Sequence, residues 1–317
     1  MQIKDIGGEF ALIKRITREA INKNVIVGIG DDCAIINVNN KYLAITTDSV
    51  IEDVHFSLKW FSPLQIGKKA IEINVSDISA MGGIPKYALL SLVLRRNIPL
   101  RFVDELYKGI YQSSGKYNIN IIGGNTSHGS QTVIDVCMIG EVTKKNLCLR
   151  SYAMPGDYIF VTGEIGRASA GLCLLLNKVQ GYEGLKKSFL EPKAQLEKSQ
   201  VVARYSNAMI DLSDGFASEI WHICEQSKCG AILYKEKLPV SIETKNAVNS
   251  LGKDVYELAL YGGEDFQLIF TVPPENIKKI RGAYLIGRIT RKREVLLVSE
   301  GKKKKLKKNG YDHFVSE

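Results

Sequence analysis

Carboxylates recur at what the sequence marks as strand ends. Asp31 and Asp32 follow the turn "GIG", Asp48 closes "YLAITTD", Asp211 follows "AMI", and Glu264-Asp265 follow "YGG". Acidic side chains at strand ends are placed to converge on a crevice, although any single one is more often a turn residue bonded to its own backbone. In "MIDLSDGFASEIWHI" (209–223), Asp211 and Asp214 lie three apart, with Ser213 between them and an amphipathic segment behind. That pattern fits the N-cap of a helix and equally one arm of a clamp for a cation. Asp77 is more telling. It lies in "AIEINVSDISAMGG", a helical stretch so apolar that little of its circumference can face water, and Asn74 shares its face. A buried, unpaired carboxylate is costly, so Asp77 requires a metal or ligand, or else a structural cap or partner. Lys68 and Lys69 are two or more turns away.

Oxygen ligands without a His or Cys cluster point to a hard cation, Mg²⁺ in particular, which keeps waters and is shared between carboxylates and substrate phosphates. The four histidines lack zinc spacing, and the six cysteines are scattered without a C-x-x-C pair. Glycine-rich turns "GIGDD", "IIGGN" and "YGGED" suit close backbone approach to phosphates. No Walker A loop, G-x-G-x-x-G fingerprint or H-R-D triplet is present, so chemistry on a nucleotide must use a less common scaffold.

The elements that must carry these residues alternate in type. Residues 10–23 place Leu12, Ile13, Ile16 and Ala20 at helical spacing, and short β-like runs "VIVGIG", "CAIINV" and "YLAITTDSV" follow. Ser62-Pro63 opens a helix running to about Met81. "YALLSLVLR", "INIIGG" and "VIDVCMIGEV" read as strands and 101–117 as a helix. After the turn in "RSYAMPGDYIFVTGEIG", helices are expected near 167–178 and 193–205, and a strand at "DFQLIFTV". The mixture predicts an α/β (mixed α+β) protein of two similar domains, 1–145 and 146–317.

The motifs, taken in order, form a recognisable set: "GEFALI" (8–13), "GIGDDCA" (28–34), "TTDSV" (46–50), "VHF" (54–56), "NVSDISAMGGIP" (74–85), "GGNTS" (123–127), "RSYAMPGD" (150–157), "IDLSDG" (210–215), "GGEDF" (262–266) and "GYDHF" (310–314). The sequence closely resembles the thiamine-monophosphate kinase family across essentially its whole length. The resemblance implies an enzyme that uses ATP and Mg²⁺ to phosphorylate thiamine monophosphate to thiamine diphosphate. It also implies the two-domain fold of aminoimidazole ribonucleotide synthetase, with N-terminal domains pairing in a homodimer and the C-terminal domain closing over the nucleotide. Carried over by position, it implies metal ligands at Asp32, Thr46, Thr47, Asp48, Asp77, Asn125, Asp211 and Asp214. ATP contacts are implied at Gly124, Asn125, Arg150 and Ser213, and substrate contacts at His55, Glu264 and Tyr311. Asn125 stands where many members have Asp, which removes one ligand charge. Each borrowed residue has a plainer alternative: His55 as a half-buried histidine, Arg150 paired with Asp157, Glu264 capping a turn, Tyr311 packing.

ATP and a phosphate monoester are both highly anionic, and several bridging cations are needed to bring them in line. The acceptor phosphate is largely ionised at pH 7 and needs no general base, so no covalent nucleophile or catalytic side chain is expected and transfer is direct. Other readings stay open: another ATP-dependent enzyme of the superfamily, such as a purine-pathway synthetase, or a non-catalytic Mg²⁺- or nucleotide-binding sensor. The net charge of +9 is local, because six lysines of "GKKKKLKK" (301–308) account for most of it, and no basic-aromatic stripe suggests nucleic acid. With no membrane-spanning run and no secretory leader, the expected location is cytoplasmic.

Overall fold

The computed structural model describes residues 2–18 and 20–315. Its elements form two mixed sheets with helices between and around them. The first sheet holds β1 (Val25–Val27), β2 (Ala34–Val38), β3 (Lys41–Ile51), β4 (Ile84–Leu94), β5 (Asn120–His128) and β6 (Val133–Val142), in the order β1-β2-β3-β6-β4-β5. Only β4 and β5 run parallel, joined by helix α3 (Leu100–Lys116) as a crossover. The second sheet holds β7 (Tyr158–Val161), β8 (Met209–Asp211), β9 (Gly230–Tyr234), β10 (Leu268–Val272), β11 (Tyr284–Thr290), β12 (Val295–Ser299) and β13 (Lys302–Lys305), in the order β13-β12-β9-β11-β7-β10-β8. The lysine run therefore forms the last strand of that sheet, with all four side chains of β13 exposed.

Helix α1 (Gly8–Ile16) is shorter than the 10–23 span expected from its apolar spacing. Thr17 turns extended, and Ile21 further on is 99% exposed, so the stripe has nothing to pack against beyond Ile16. Residue 19 lies outside the described residues. Helix α2 (Pro63–Ala80) starts where its sequence signals: Ser62 and Gln65 exchange capping-box hydrogen bonds, and Pro63 sits in the first turn. It lies against β3 and β6 of the first sheet and touches β8 of the second, and so is buried on most sides. The remaining helices are α4 (Arg167–Leu176), α5 (Glu183–Leu190), α6 (Leu196–Val202), α7 (Phe216–Gln226), α8 (Ile242–Ser250) and α9 (Val255–Tyr261). No helix among the described residues is long and apolar enough to cross a membrane.

Two glycines set the depth at which α2 seats on α3. A Cβ at Gly67 would lie 2.1 Å from the Leu106 carbonyl, and one at Gly109 would lie 2.0 Å from the Leu64 carbonyl. Neither neighbour can yield, because both are helix backbone. Gly109→Val is therefore expected to force the helices apart and lower unfolding stability by about 1–3 kcal/mol or more, measured as a fall in the urea midpoint. An unchanged midpoint would refute the close approach.

Candidate active site

A cavity of roughly 850 Å³ opens between the two sheets. It gathers residues from across the chain, among them the 31–32 turn, β3 and the loop after it, α2, Arg150, the end of β8, the segment after α9, α7 and the 310–313 segment.

At its inner end three elements converge. One carboxylate oxygen each from Asp32, Asp77 and Asp211 lie within 4.8 Å of one another. Asp32 comes from the turn after β1, Asp77 from α2, and Asp211 from the last residue of β8. Asp211 is held by the Ser76 hydroxyl at 2.5 Å, and Asp77 accepts the Thr46 hydroxyl at 2.6 Å. The Asp32 Oδ2 atom is buried with no hydrogen-bond partner. A second acidic residue of α2 shows what a structural carboxylate looks like here. Glu72 accepts from Ser113, Lys116, Tyr117 and the Ala194 amide. Among the described residues, Asp77 receives only the Thr46 hydroxyl. All-oxygen donors, an orphaned buried oxygen and several carboxylates at close quarters fit a hard divalent cation.

Asp48 and Asp214 flank this trio on the same cavity wall. Burial and mutual repulsion push these groups up: Asp31 to about 7, Asp48 to about 6, Asp211 to about 8 and Asp214 to about 7, from an ordinary 3.8. Burial first, then neighbouring carboxylates, raise Asp77 well above 3.8. The compensating cation is Arg150, whose guanidinium contacts Asp32 and lies 3.6 Å from Asp31. It does not reach Asp157, which instead accepts from the Met154 amide and Asn207.

The cap reading of "IDLSDG" fails. Gly215 is the N-cap of α7 and no side chain caps the helix. Glu219 reaches back to accept the Asp214 amide at 3.2 Å. Ser213 faces the cavity, and its carbonyl accepts the Glu264 amide at 2.7 Å. A Cβ at Gly263 would sit 2.1 Å from that carbonyl, which explains the second glycine of "YGGED". Its Asp265 turns inward and accepts the Gly166 and Ala168 amides at the start of α4.

The outer end holds the other expected contacts. His55 is neutral near pH 7: burial first, then Lys69 and His313, lower it to about 4. Its Nδ1 accepts the Ile51 amide, leaving Nε2 to carry the proton. The His313 ring meets His55 at 5.2 Å and Tyr311 at 5.0 Å, edge to face. Asp312 accepts the Glu9 amide and fastens α1 beside them.

Thr46, Thr47, Asp48, His55 and Glu264 all line the cavity with Asp32, Asp77, Arg150, Asp211, Ser213, Asp214 and Tyr311. Gly124 and Asn125 do not. They lie on β5, with β4 and β6 between them and β3, so by strand spacing they are about 14 Å away. Asn125 pairs with Ser91, Ser91 with Asp135 and Asp135 with Ser49, a polar row on the outward face of the first sheet. A Cβ at Gly124 would lie 1.8 Å from the Leu90 carbonyl, a packing reason for that glycine. Sequence reading missed Lys69, Glu219 and His313. Lys69 faces Glu264 rather than Asp77, a pairing only the tertiary fold reveals. Glu219 carried a usable signal, a glutamate one turn into the helix after "SDG".

Two family models match the chain: AIR synthase related protein, N-terminal domain, over residues 30–142, and its C-terminal domain over 154–299. A thiamine-monophosphate kinase of Aquifex aeolicus is 37% identical, covering 99% of this chain and 100% of that protein. One from Bacillus subtilis is also 37% identical, covering 96% and 99%. The solved structure of AaThiL complexed with AMPPCP and TMP superposes with a TM-score of 0.90 at 36% identity, covering 99% of both chains.

The raised carboxylates give a pH dependence with a definite sign. Their folded values lie above the unfolded 3.8, so between about pH 4 and 8 the folded chain binds more protons than the unfolded one. Stability of the metal-free protein then falls as pH rises. Metal-free melting temperature is expected to drop from pH 5 to pH 8, with Mg²⁺ raising it more at pH 8. Asp77→Asn should stabilise the metal-free protein at pH 8 and weaken the Mg²⁺-dependent rise. A melting temperature that climbs with pH in EDTA would contradict the assignment.

Proposed function

The chain belongs to the thiamine-monophosphate kinase family of AIR synthase-related proteins, and from that premise we propose how its cavity carries out the reaction. It transfers the γ-phosphoryl group of ATP to thiamine monophosphate, giving thiamine diphosphate and ADP. The observation that carries the reading is the meeting of Asp32, Asp77 and Asp211 in the wall of a cavity of roughly 850 Å³. Those three residues would hold Mg²⁺, with Asp48 and Asp214 beside them and Thr46 orienting Asp77. Bound there, Mg²⁺ supplies positive charge against which two polyanions can approach.

The chain's own residues do the rest. Arg150, already charged and buried, offers its guanidinium to nucleotide phosphate. Ser213 is turned to the same wall, its backbone fixed by Glu264. Neutral His55, with Tyr311 and Glu264, lines the end assigned to the thiamine moiety. A phosphate acceptor that is already ionised needs no side chain to remove a proton, so the enzyme contributes mainly by positioning and no phospho-enzyme forms.

The division into units 1–145 and 146–317 belongs to the same reading, supported by each sheet drawing its strands from one side of that boundary. So does a homodimer. Its support is the outward face of the first sheet, where Tyr87 and Leu89 are exposed, and the Asn125 row that crosses it. Gly124 and Asn125, remote from this subunit's cavity, keep a ligand role only if pairing of two copies brings them to a site. A cytoplasmic location is consistent with six free cysteines.

With ATP, Mg²⁺ and thiamine monophosphate, the protein is expected to release ADP and thiamine diphosphate in equal amounts. Asp77→Asn should reduce turnover by about a hundredfold or more with the fold intact. Absence of thiamine diphosphate under saturating Mg²⁺ rules out the reaction. Light scattering on the eluting protein should give twice the monomer mass.

A further inference from the structure

Glu264 is an unusual residue to find at a binding wall, because its own backbone is unfavourable. It adopts φ +67°, in the left-handed region, and Phe266 two residues later does the same at +45°. Such conformations persist in non-glycine residues only where the surroundings enforce them. Here the Glu264 amide donates to the Ser213 carbonyl at 2.7 Å and the Phe266 amide to the Leu212 carbonyl at 2.9 Å, while the Glu264 side chain is held by Lys69. The Lys69 side chain is 1% exposed, and its ammonium lies 2.7 Å from both Glu264 carboxylate oxygens and 2.8 Å from the His55 carbonyl. Three acceptors use the three donors of the ammonium. The rings of Phe189 and Phe61 approach the same nitrogen, at 5.0 and 5.4 Å from their centroids.

We propose that Lys69 is a positioning residue for the acceptor end of the site, holding the Glu264 carboxylate and the His55 backbone in the arrangement that receives thiamine monophosphate. The inference rests on the assignment of that end to the acceptor, made above. Lys69 and Asp77 are eight residues apart on α2, about 12 Å along the helix axis. One rigid helix therefore carries a metal-facing carboxylate and the ammonium that sets the acceptor wall. The Glu264 side chain is 25% exposed and lines the cavity. A carboxylate offers about four lone-pair directions, so with Lys69 on its inner side it still has acceptor capacity toward the cavity. The aminopyrimidine of thiamine carries a donor suited to it. The ammonium also neutralises the carboxylate beside a cationic thiazolium. The pocket thus presents an oriented acceptor instead of a free negative charge.

The test is Lys69→Met, which leaves an apolar stem between Phe61 and Phe189. The KM for thiamine monophosphate is expected to rise about tenfold or more while the KM for ATP stays within about twofold. Affinity for AMPPCP, measured by calorimetry, should be unchanged. Glu264→Gln should show the same selective rise, and the double variant should add little to either single change. A purely structural latch between the halves would instead raise both KM values together, or give additive losses. Either result overturns the proposal. If Lys69→Met does not accumulate as folded protein, Lys69→Gln is measured in its place and judged by the same criteria. The proposed reaction is judged separately: if the wild-type protein makes no thiamine diphosphate, that reading falls. Calorimetric binding of thiamine monophosphate to wild type and variant still decides the role of Lys69, with equal affinity refuting it.

Discussion

Like charges buried together are the constraint around which the molecule is arranged. Asp31, Asp32, Asp48, Asp77, Asp211, Asp214 and Glu219 are drawn into one region, and each is raised by burial before any neighbour is counted. No stable fold assembles such a group unless its elements hold it against repulsion. The means are visible: Ser76 on Asp211, Thr46 on Asp77, Arg150 across Asp31 and Asp32, and Glu219 on the Asp214 backbone. On the proposed reading, crowding these carboxylates favours a divalent cation, because binding it would relieve their repulsion.

Helix α2 is the part on which this depends most. It is the element the two sheets share, seated on α3 by Gly67 and Gly109, and it touches β8 where Ser76 meets Asp211. Packed on most sides by apolar residues, it can carry only a few polar groups. Of those, Glu72 has four donors, Ser79 bonds back to Val75, Lys69 serves Glu264 and Asp77 faces the cavity, while the Asn74 Oδ1 is buried without a partner among the described residues. A helix this constrained fixes the spacing of Asp77 and Lys69, to which the loops bearing Asp32, His55 and Glu264 are fitted.

Much of this is legible in the sequence because it depends on local rules. The Ser62-Pro63 start of α2, the Asp211 end of β8 and the glycine turns are written in short stretches, and the structure forms them; Asp48, read as a strand end, instead lies within β3, and Glu264 follows helix α9. Asp77 stands out because an apolar helix has nowhere to put a carboxylate. What the sequence conceals is set by packing between distant segments. Along the chain Lys69 is a neighbour of Asp77, while its actual partner lies 195 positions later. The cap expected of Ser213 or Asp214 gives way to Gly215 because the chain turns toward Tyr261 there, and a Cβ would meet that carbonyl at 3.0 Å. Helix α1 stops early for want of a surface to cover, and Asn125 falls on a strand whose place in the sheet no local pattern announces.

The last strand of the second sheet has a consequence for the molecule in a crowded solution. β13 leaves one side of its hydrogen-bonding ladder open, and its four residues are all exposed lysines. Another copy adding there would place rows of ammonium groups side by side, a repulsion that weakens as ionic strength rises. β5, which ends the first sheet, carries no charged residue from Asn120 to Ser127. Addition at the β13 edge of the second sheet is thus opposed electrostatically, whereas the β5 edge of the first sheet carries no such charge. The protein's colloidal behaviour should therefore depend on salt more than its fold does.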